Sequence, residues 1–181
     1  MPLSDEILLE RFRAGNHLAF LQLYERYKRA IYGFTRKLLE DPELAKDVLQ
    51  TVFLRLYEDA GRIHNPSHLK TWLFAVARNE CLTQRRKSSR NLPLEGDEPI
   101  MSDGAHDALE RDERHALIRV AIGRLTPEQR EVVVLREYEE LSYREIAEII
   151  GVAESVVKSR LFEARRKLFD LLKNVFQERS T

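Results

Sequence analysis

The chain has 181 residues with 30 basic and 30 acidic side chains, and its one cysteine, Cys81, excludes an internal disulfide and a Cys-x-x-Cys metal site. No apolar run approaches the roughly 20 residues that a membrane-spanning helix needs, and the amino terminus lacks the basic segment and apolar core of a secretory signal. We therefore expect a cytoplasmic protein with no metal ion and no cofactor, in which Cys81 is a core residue.

Four helices are predicted in the first 90 residues, each beginning directly after a residue whose side chain can accept a hydrogen bond from a free backbone amide. They cover residues 5–14 behind Ser4, 17–39 behind Asn16, 42–60 behind Asp41 and 66–87 behind Asn65. The third and fourth also start with a proline at the first helical position, where its missing amide is harmless. No alternating stretch is long enough for a sheet, so we predict an all-helical fold.

The predicted third helix carries one apolar side chain on its otherwise polar side. The stripe that we expect to be buried consists of Ala45, Leu49, Val52, Phe53 and Leu56. The opposite side consists of Asp47, Gln50, Thr51, Leu54 and Glu58. Leu54 is either an ordinary exposed leucine or the anchor of a helix that docks on a partner, and the pattern leaves both interpretations open.

The predicted fourth helix is apolar on nearly every side at first and then becomes basic. Its basic residues are Arg78, Arg85, Arg86, Lys87 and Arg90. A helix that is apolar all round is usually buried. Trp72 and Phe74 beside an arginine also resemble the aromatic and cationic groups that hold single-stranded DNA, so core packing and nucleic-acid contact both remain open for these rings.

Residues 91–107 contain two prolines, two glycines and no helical period, which predicts a flexible linker. The charge changes there: residues 1–90 carry a net +5, residues 91–113 a net −7 and residues 114–181 a net +2. We expect two small helical domains, 1–90 and 108–181, joined by this acidic linker. Its acidity either keeps the linker extended or mimics a nucleic-acid strand in a basic channel.

The second predicted domain ends in a helix-turn-helix motif, at about residues 142–174. Its earlier helices are predicted over 108–124 and, behind a Thr126–Gln129 capping box, over 127–138. Ser142 and Glu145 form a second capping box, and Gly151 supplies the left-handed conformation that commonly ends a helix. A turn of about three residues then leads into a longer basic helix, the arrangement that places an α-helix in a DNA major groove.

The last helix has an apolar face and a polar, basic face. The apolar face, expected to pack inward, consists of Val157, Leu161, Ala164, Leu168 and Leu171. The opposite face consists of Ser155, Lys158, Ser159, Phe162 and Arg166, with Glu163 and Arg165 at its edges. Six lysines or arginines against two acidic residues between Ser155 and Lys173 suit contact with phosphates, and Phe162 has no structural reason to face water.

Three segments together resemble the extracytoplasmic-function group of bacterial sigma factors, which direct RNA polymerase to promoters. Asp47-Val-Leu-Gln50-Thr-Val-Phe53 is similar to the family's segment for binding core polymerase. Lys70-Thr-Trp72-Leu-Phe-Ala-Val-Ala77-Arg-Asn79 is similar to its promoter-melting helix, and Val157-Lys-Ser-Arg-Leu-Phe-Glu-Ala-Arg165 to its recognition helix. Their order and spacing around a linker carry the resemblance, which covers almost the whole chain and implies a protein that is not an enzyme.

The resemblance implies roles for the first domain. Asp47, Gln50 and Leu54 would dock on the clamp helices of the polymerase's largest subunit, on the helix side that also presents Thr51 and Glu58. The loop from Arg62 to His68, which includes His64 and Asn65, would receive a base flipped out of the minus-10 element, with Asn79 nearby. The implied melting and phosphate-binding residues are Trp72, Phe74, Arg78, Arg85, Arg86 and Lys87.

The resemblance also implies roles for the second domain at the minus-35 element. Arg136 and Lys158 would contact phosphates. The side chains near base edges would be Ser159, Phe162, Glu163 and Arg165, on the same helix as Ser155 and Arg166. Glu163 stands where the family often has a basic residue, and we hypothesise that it accepts a hydrogen bond from a cytosine amino group. The family is commonly held by anti-sigma factors, so an inhibitory partner is expected besides core polymerase and promoter DNA.

Two other classes of function fit parts of the chain. A stand-alone helix-turn-helix regulator would bind duplex DNA as a dimer through the C-terminal motif, but this leaves the first 90 residues unexplained. An all-helical metalloenzyme would use Asp41, Glu43 and Asp47, or the acidic stretch 107–115, but no Glu-x-x-His pair lies on a core-facing helix.

Overall fold

The computed structural model describes residues 3–91 and 109–178, and all regular structure in these two ranges is helical. The α-helices are α1 (Asp5–Arg13), α2 (His17–Leu39), α3 (Pro42–Asp59), α4 (Leu69–Asn91), α5 (Leu109–Gly123), α6 (Pro127–Val133), α7 (Tyr143–Ile150) and α8 (Glu154–Glu178). The predicted all-helical fold is confirmed. Within the described ranges, every helix is too short or too polar to span a lipid bilayer.

The first three helices begin where the cap residues predict. The side chains of Ser4, Asn16 and Asp41 accept hydrogen bonds from the first free amides of α1, α2 and α3. α2 ends at Leu39, as predicted, with Glu40 in the left-handed conformation at φ 61°. Local side-chain chemistry therefore determines these boundaries to within one residue.

The connection between α3 and α4 differs from the prediction of a helix that begins directly at Pro66. Two 3-10 turns, Ala60–Arg62 and Pro66–His68, join the helices. Asn65 is extended, at φ −116° and ψ 99°, because the residue before a proline avoids the helical region. Its side chain caps the second turn by accepting from the Ser67 amide at 3.2 Å, so the predicted cap is present although the first turn is 3-10.

Helices α1–α4 pack around an apolar interior. α2 contacts α1, α3 and α4, and α3 contacts α4. The fully buried side chains include Leu8, Leu9, Leu23, Ile31, Phe34, Val48, Leu56, Leu69, Leu73 and Phe74. Cys81 is 1% exposed, which confirms its predicted place in the core, and burial raises the pKa of its thiol to about 12, with Glu131 and Glu80 adding to the effect.

The C-terminal unit is built from two capping boxes and a glycine turn. Thr126 and Ser142 each exchange hydrogen bonds with the residue three positions on, as predicted, and these bonds begin α6 and α7. α6 is shorter than expected because its last turn becomes a π-helical turn, Val134–Tyr138. Gly151 ends α7 at φ 70°, and α8 follows after a short turn.

The two units are in contact in this structure. α7 packs on α4, and α6 packs on α2. Buried apolar side chains of both units form one continuous cluster that extends from Leu8 to Ala164. Of the predicted linker, Asn91 is the last residue of α4, and residues 92–107 lie outside the described residues.

Candidate nucleic-acid interface

The polar face of α8 is exposed, as the spacing predicts. Ser155, Lys158, Ser159, Phe162 and Arg166 all face solvent, and Phe162 is 67% exposed. On the opposite face Val157, Leu161 and Ala164 are at most 1% exposed. An aromatic ring this exposed loses the free energy that burial would give, about 1.5–3 kcal/mol, so it is available to an apolar partner such as a thymine methyl group.

Phe162 and Glu163 border a depression in the protein surface. The residues that line it are Gln129, Phe162, Glu163, Arg166, Lys167 and Asp170. Glu163 is exposed and lines the same depression as Phe162.

The two other arginines predicted to contact the minus-35 element have intramolecular partners. The Arg165 guanidinium forms an ion pair with Glu137, with Nη2 to Oε1 at 2.6 Å. Arg136 donates from Nη1 to the Leu141 carbonyl at 2.8 Å, and its guanidinium lies 5.1 Å from the centre of the Tyr143 ring. Arg136 therefore also holds the connection between the π-helical turn and α7.

The predicted base-reading loop presents polar side chains around one buried anchor. Arg62, His64 and Asn65 are exposed, whereas Ile63 is 6% exposed and fixes the loop to the core. The Asn65 side-chain oxygen accepts from the Ser67 hydroxyl at 2.6 Å as well as from its amide. The backbone of this short loop is therefore held while its side chains remain accessible.

The two aromatic residues of α4 are placed differently. Phe74 is fully buried, with its ring edge-on to Phe34 at 5.4 Å, so the expectation that it supports DNA melting does not hold in this arrangement. The reason is that α4 crosses α2 at this position and the ring fills the space between them. Trp72 is half-buried, and Asn79 is exposed on the same helix.

At the basic end of α4 the predicted phosphate-binding residues Arg85, Arg86 and Lys87 face solvent. Arg78, about two turns earlier, does not. Its Nε donates to Oε1 of Glu131 on α6 at 2.5 Å, and the two side chains are 19% and 7% exposed. Burial raises the pKa of Glu131 in spite of the hydrogen bond and charge of Arg78.

Further polar contacts join α4 and α2 to the C-terminal unit. Lys70 donates from Nζ to the Glu139 carbonyl at 2.6 Å, and burial raises the pKa of the Glu139 carboxyl. Lys37 lies over the Tyr138 ring at 4.3 Å, and burial lowers the pKa of its amine. The C-terminal unit therefore covers the side of α4 that carries Lys70 and Arg78.

Arg130 on α6 is a further link between the units, because its guanidinium donates to the Lys37 carbonyl at 3.3 Å and to Glu40. It also donates to the Gly123 carbonyl at 2.6 Å within its own unit. Arg130, Glu131 and Glu139 are not among the predicted site residues. Nothing in the sequence near Glu131 indicates that its partner lies 53 residues earlier.

The polymerase-docking candidates of α3 lie on its exposed side. Leu54 is 55% exposed, and Asp47, Gln50 and Glu58 face solvent around it. Thr51 is half-buried and donates its hydroxyl to the Asp47 carbonyl at 2.9 Å. Tyr57, which is not among the predicted docking residues, is 49% exposed next to them, with its ring edge-on to Phe20 at 5.4 Å.

A metal centre finds no support in the part of the chain that the structure describes, because no group of three or more His, Cys, Asp or Glu side chains there is placed to hold an ion. Of the candidate ligands, the Asp41 carboxylate instead caps α3, by accepting from the Glu43 and Leu44 amides at 2.8 and 3.0 Å.

Comparison with known proteins agrees with this geometry. The family profile for Sigma-70 region 2 matches residues 23–91, and the profile for Sigma-70 region 4 matches residues 105–168. The chain is 33% identical to the ECF RNA polymerase sigma factor SigM of Mycobacterium tuberculosis, over 93% of this chain and 85% of that one. It is 30% identical to the RNA polymerase sigma-H factor of Pseudomonas aeruginosa, over 97% of each chain.

Two solved structures are similar over most of the chain. CnrH in complex with the cytosolic domain of CnrY is 26% identical, with a TM-score of 0.71 over 94% of this chain and 97% of that one. The sigma factor RpoE in complex with the anti-sigma factor NepR, from Bartonella quintana, is 28% identical, with a TM-score of 0.68 over 85% and 96%. The chain therefore belongs to the extracytoplasmic-function sigma factors of bacterial RNA polymerase, non-catalytic proteins whose regions 2 and 4 bind the minus-10 and minus-35 promoter elements.

Proposed function

We propose a specific division of promoter recognition among the residues of this chain, in a domain 1–90 and a domain 108–181. The observation that carries the proposal is the exposed face of α8, where Phe162 is 67% exposed on a basic helix that follows a glycine turn. Phe162 and Glu163 read base edges of the minus-35 element. Lys158, Ser155, Ser159 and Arg166 hold the duplex around them.

At the minus-10 element, we propose that the loop 62–68, named here the minus-10 loop, receives a flipped base. Flipping costs a few kcal/mol of lost stacking, and hydrogen bonds to the base edge offset it. His64 and Asn65 are exposed for this purpose, and Asn79 is accessible on α4. Trp72 supports the melted strand, and the exposed Arg85, Arg86 and Lys87 contact its phosphates.

Arg78 takes part in melting only after it leaves Glu131. The pair is buried between α4 and α6, so the C-terminal unit and a DNA strand compete for the same side of α4. We propose that this chain opens when it joins core polymerase. We also propose that the chain acts in the cytoplasm, together with core polymerase and promoter DNA.

The docking side of α3 offers the sharpest experiment on polymerase binding. Leu54→Arg places a charge where a buried apolar anchor is needed, and loss of such an anchor weakens an interface by roughly 30-fold or more. We expect the wild-type protein to co-elute with purified core RNA polymerase in gel filtration, and Leu54→Arg to elute separately. Ile7→Arg, which also adds a charge at an exposed apolar residue of the first domain, should still co-elute.

An inhibitory partner is part of the proposal, because the similar RpoE was solved together with the anti-sigma factor NepR. Such a partner and core polymerase would exclude each other if both use the side of α3 that contains Leu54. Leu54→Arg should then weaken both complexes, and a protein that inhibits transcription by this chain but binds Leu54→Arg unchanged would contradict a shared surface.

A further inference from the structure

One side chain at the end of α1 donates hydrogen bonds to the connection between α3 and α4, in addition to the packing of α1 against both 3-10 turns. Arg13, the last residue of α1, donates from Nε to the Ala60 carbonyl at 2.8 Å and from Nη2 to the Ile63 carbonyl. The acceptors lie 47 and 50 residues further along the chain. Guanidinium is the side-chain group suited to this, because its planar fork points two donors in fixed directions.

α1 is itself held in place, so Arg13 extends from a fixed support. At the start of the helix, Asp5 forms an ion pair with Arg26 and accepts from the Tyr27 hydroxyl, both on α2. Leu8 and Leu9 are fully buried, and Phe12, next to Arg13, is 7% exposed. The position of the Arg13 guanidinium is therefore set by the core of the first domain.

The two carbonyls that Arg13 contacts control the direction of the chain as it enters the minus-10 loop. Ala60 O also accepts from the Ile63 amide at 3.4 Å and so closes the first 3-10 turn. The Ile63 carbonyl belongs to the peptide bond that connects the buried Ile63 to the exposed His64. Fixing this carbonyl restricts rotation of that peptide, and hence the direction in which His64 and Asn65 project.

The other end of the loop is fixed without Arg13. Asn65 holds Ser67 through two hydrogen bonds, and His68 begins the transition into α4. The entrance of the loop has no comparable internal cap, because the turn Ala60–Arg62 has no side-chain cap hydrogen bond. Arg13 thus adds hydrogen bonds from α1 to an end of the loop that the burial of Ile63 and the Arg62–Asp59 ion pair also hold.

We propose that Arg13 is a positioning residue for base selection, which orients the minus-10 loop through the Ala60 and Ile63 carbonyls without contacting the base. The inference rests on the proposed base-reading role of the loop. Arg13→Ala leaves the acceptors of two part-buried hydrogen bonds without their donor, so it should lower global stability, but that loss affects all bases equally whereas the positioning effect changes the choice among them.

The experiment uses the full-length protein with core RNA polymerase on a promoter selected by the wild-type protein from a random library. Each minus-10 position is then replaced by the other three bases, and transcription is compared. We expect Arg13→Ala to reduce the preference at one position by roughly tenfold, the discrimination that one well-placed base contact supplies. Arg13→Lys, which keeps the charge and one donor group, should restore part of that preference.

Arg11→Ala is the matched control, because it removes an exposed arginine from the same helix turn. Arg11→Ala should leave the base preference unchanged. In Arg13→Ala, the affinity for core polymerase and the minus-35 preference should also be unchanged. A loss that is equal for all four bases would overturn the proposal, since it would indicate a phosphate contact or a general loss of folding. An unchanged preference in Arg13→Ala would also overturn it.

The measurement on the wild-type protein separates this inference from the proposed function. If the wild-type protein shows no preference for any single base in the minus-10 element, the proposed role of the loop is wrong. If the wild-type protein selects a base and Arg13→Ala selects it equally well, the role of the loop stands and the positioning role of Arg13 is wrong.

Discussion

The two DNA-facing helices, α8 and α4, are in different states in the same structure. The polar face of α8 is open to solvent, with Phe162 67% exposed. One side of α4 is covered by α6 and α7, and its Arg78 is paired with Glu131. The face that we propose for duplex DNA is thus open in this structure, whereas the side of α4 that we propose for the melted strand is covered.

The difference follows from the sequences of the two helices. α8 has one apolar stripe, which α6 and α7 bury within the C-terminal unit, so its other face needs no cover. α4 is apolar on several sides: Leu69, Leu73 and Phe74 pack into the first domain, and further apolar side chains remain. The C-terminal unit covers part of that surface. The helix that we propose to hold unstacked bases is therefore also a surface to which the C-terminal unit binds.

The largest expected effect comes from breaking the buried pair that holds the units together. Glu131→Ala leaves the Arg78 charge buried without a partner, which costs about 3–5 kcal/mol in comparable pairs. We expect the units to separate, and small-angle X-ray scattering should report a larger radius of gyration.

Two further variants control that experiment. Glu128→Ala removes an exposed glutamate from the same helix and should leave the scattering unchanged. Arg78→Met breaks the pair from the other unit and should also favour separation, so a folding defect confined to α6 cannot produce both results. Unchanged scattering in Glu131→Ala and Arg78→Met would mean that the pair does not hold α4 covered.

A smaller effect, on the open helix, concerns specificity at the minus-35 element. Glu163→Arg replaces an acceptor with donors, so the preferred base at one position should change from cytosine to a base that accepts, with a discrimination of about 1–3 kcal/mol. Binding-site selection with the purified protein and core polymerase measures it. Asp170→Arg, which adds the same charge two turns further along α8, should keep the original base, and so would Glu163→Arg if the carboxylate does not contact a base.

The smallest expected effect concerns the peripheral contact of the covered helix. Lys70→Met removes the donor to the Glu139 carbonyl, a hydrogen bond at the edge of the contact between the units. We expect the closed arrangement to lose about 0.5–1.5 kcal/mol, seen as a slight rise in the distance between fluorescent labels on α3 and α8. The same substitution at the exposed Lys87 should leave that distance unchanged. An effect of Lys70→Met as large as that of Glu131→Ala would contradict the smaller contribution expected of the peripheral hydrogen bond.

The sequence predicts the open helix better than the covered one, for a physical reason. Caps, glycine turns and apolar stripes are local, so the starts of α1 and α7 and the exposure of Phe162 follow from neighbouring residues. The buried ring of Phe74 depends on where α2 crosses α4, which no local pattern contains. The pair of Arg78 and Glu131 and the contacts of Arg13 join residues about 50 positions apart, and only the tertiary structure brings them together.

The most direct test is transcription by purified core RNA polymerase and this chain from a library of random promoters, with sequencing of the transcripts. Enriched promoters should share two sequence blocks at a fixed spacing. Glu163→Arg should alter only the upstream block, and Arg13→Ala only the downstream block. A single enriched block, or initiation no higher than with core polymerase alone, would contradict the division of recognition between α8 and the first domain.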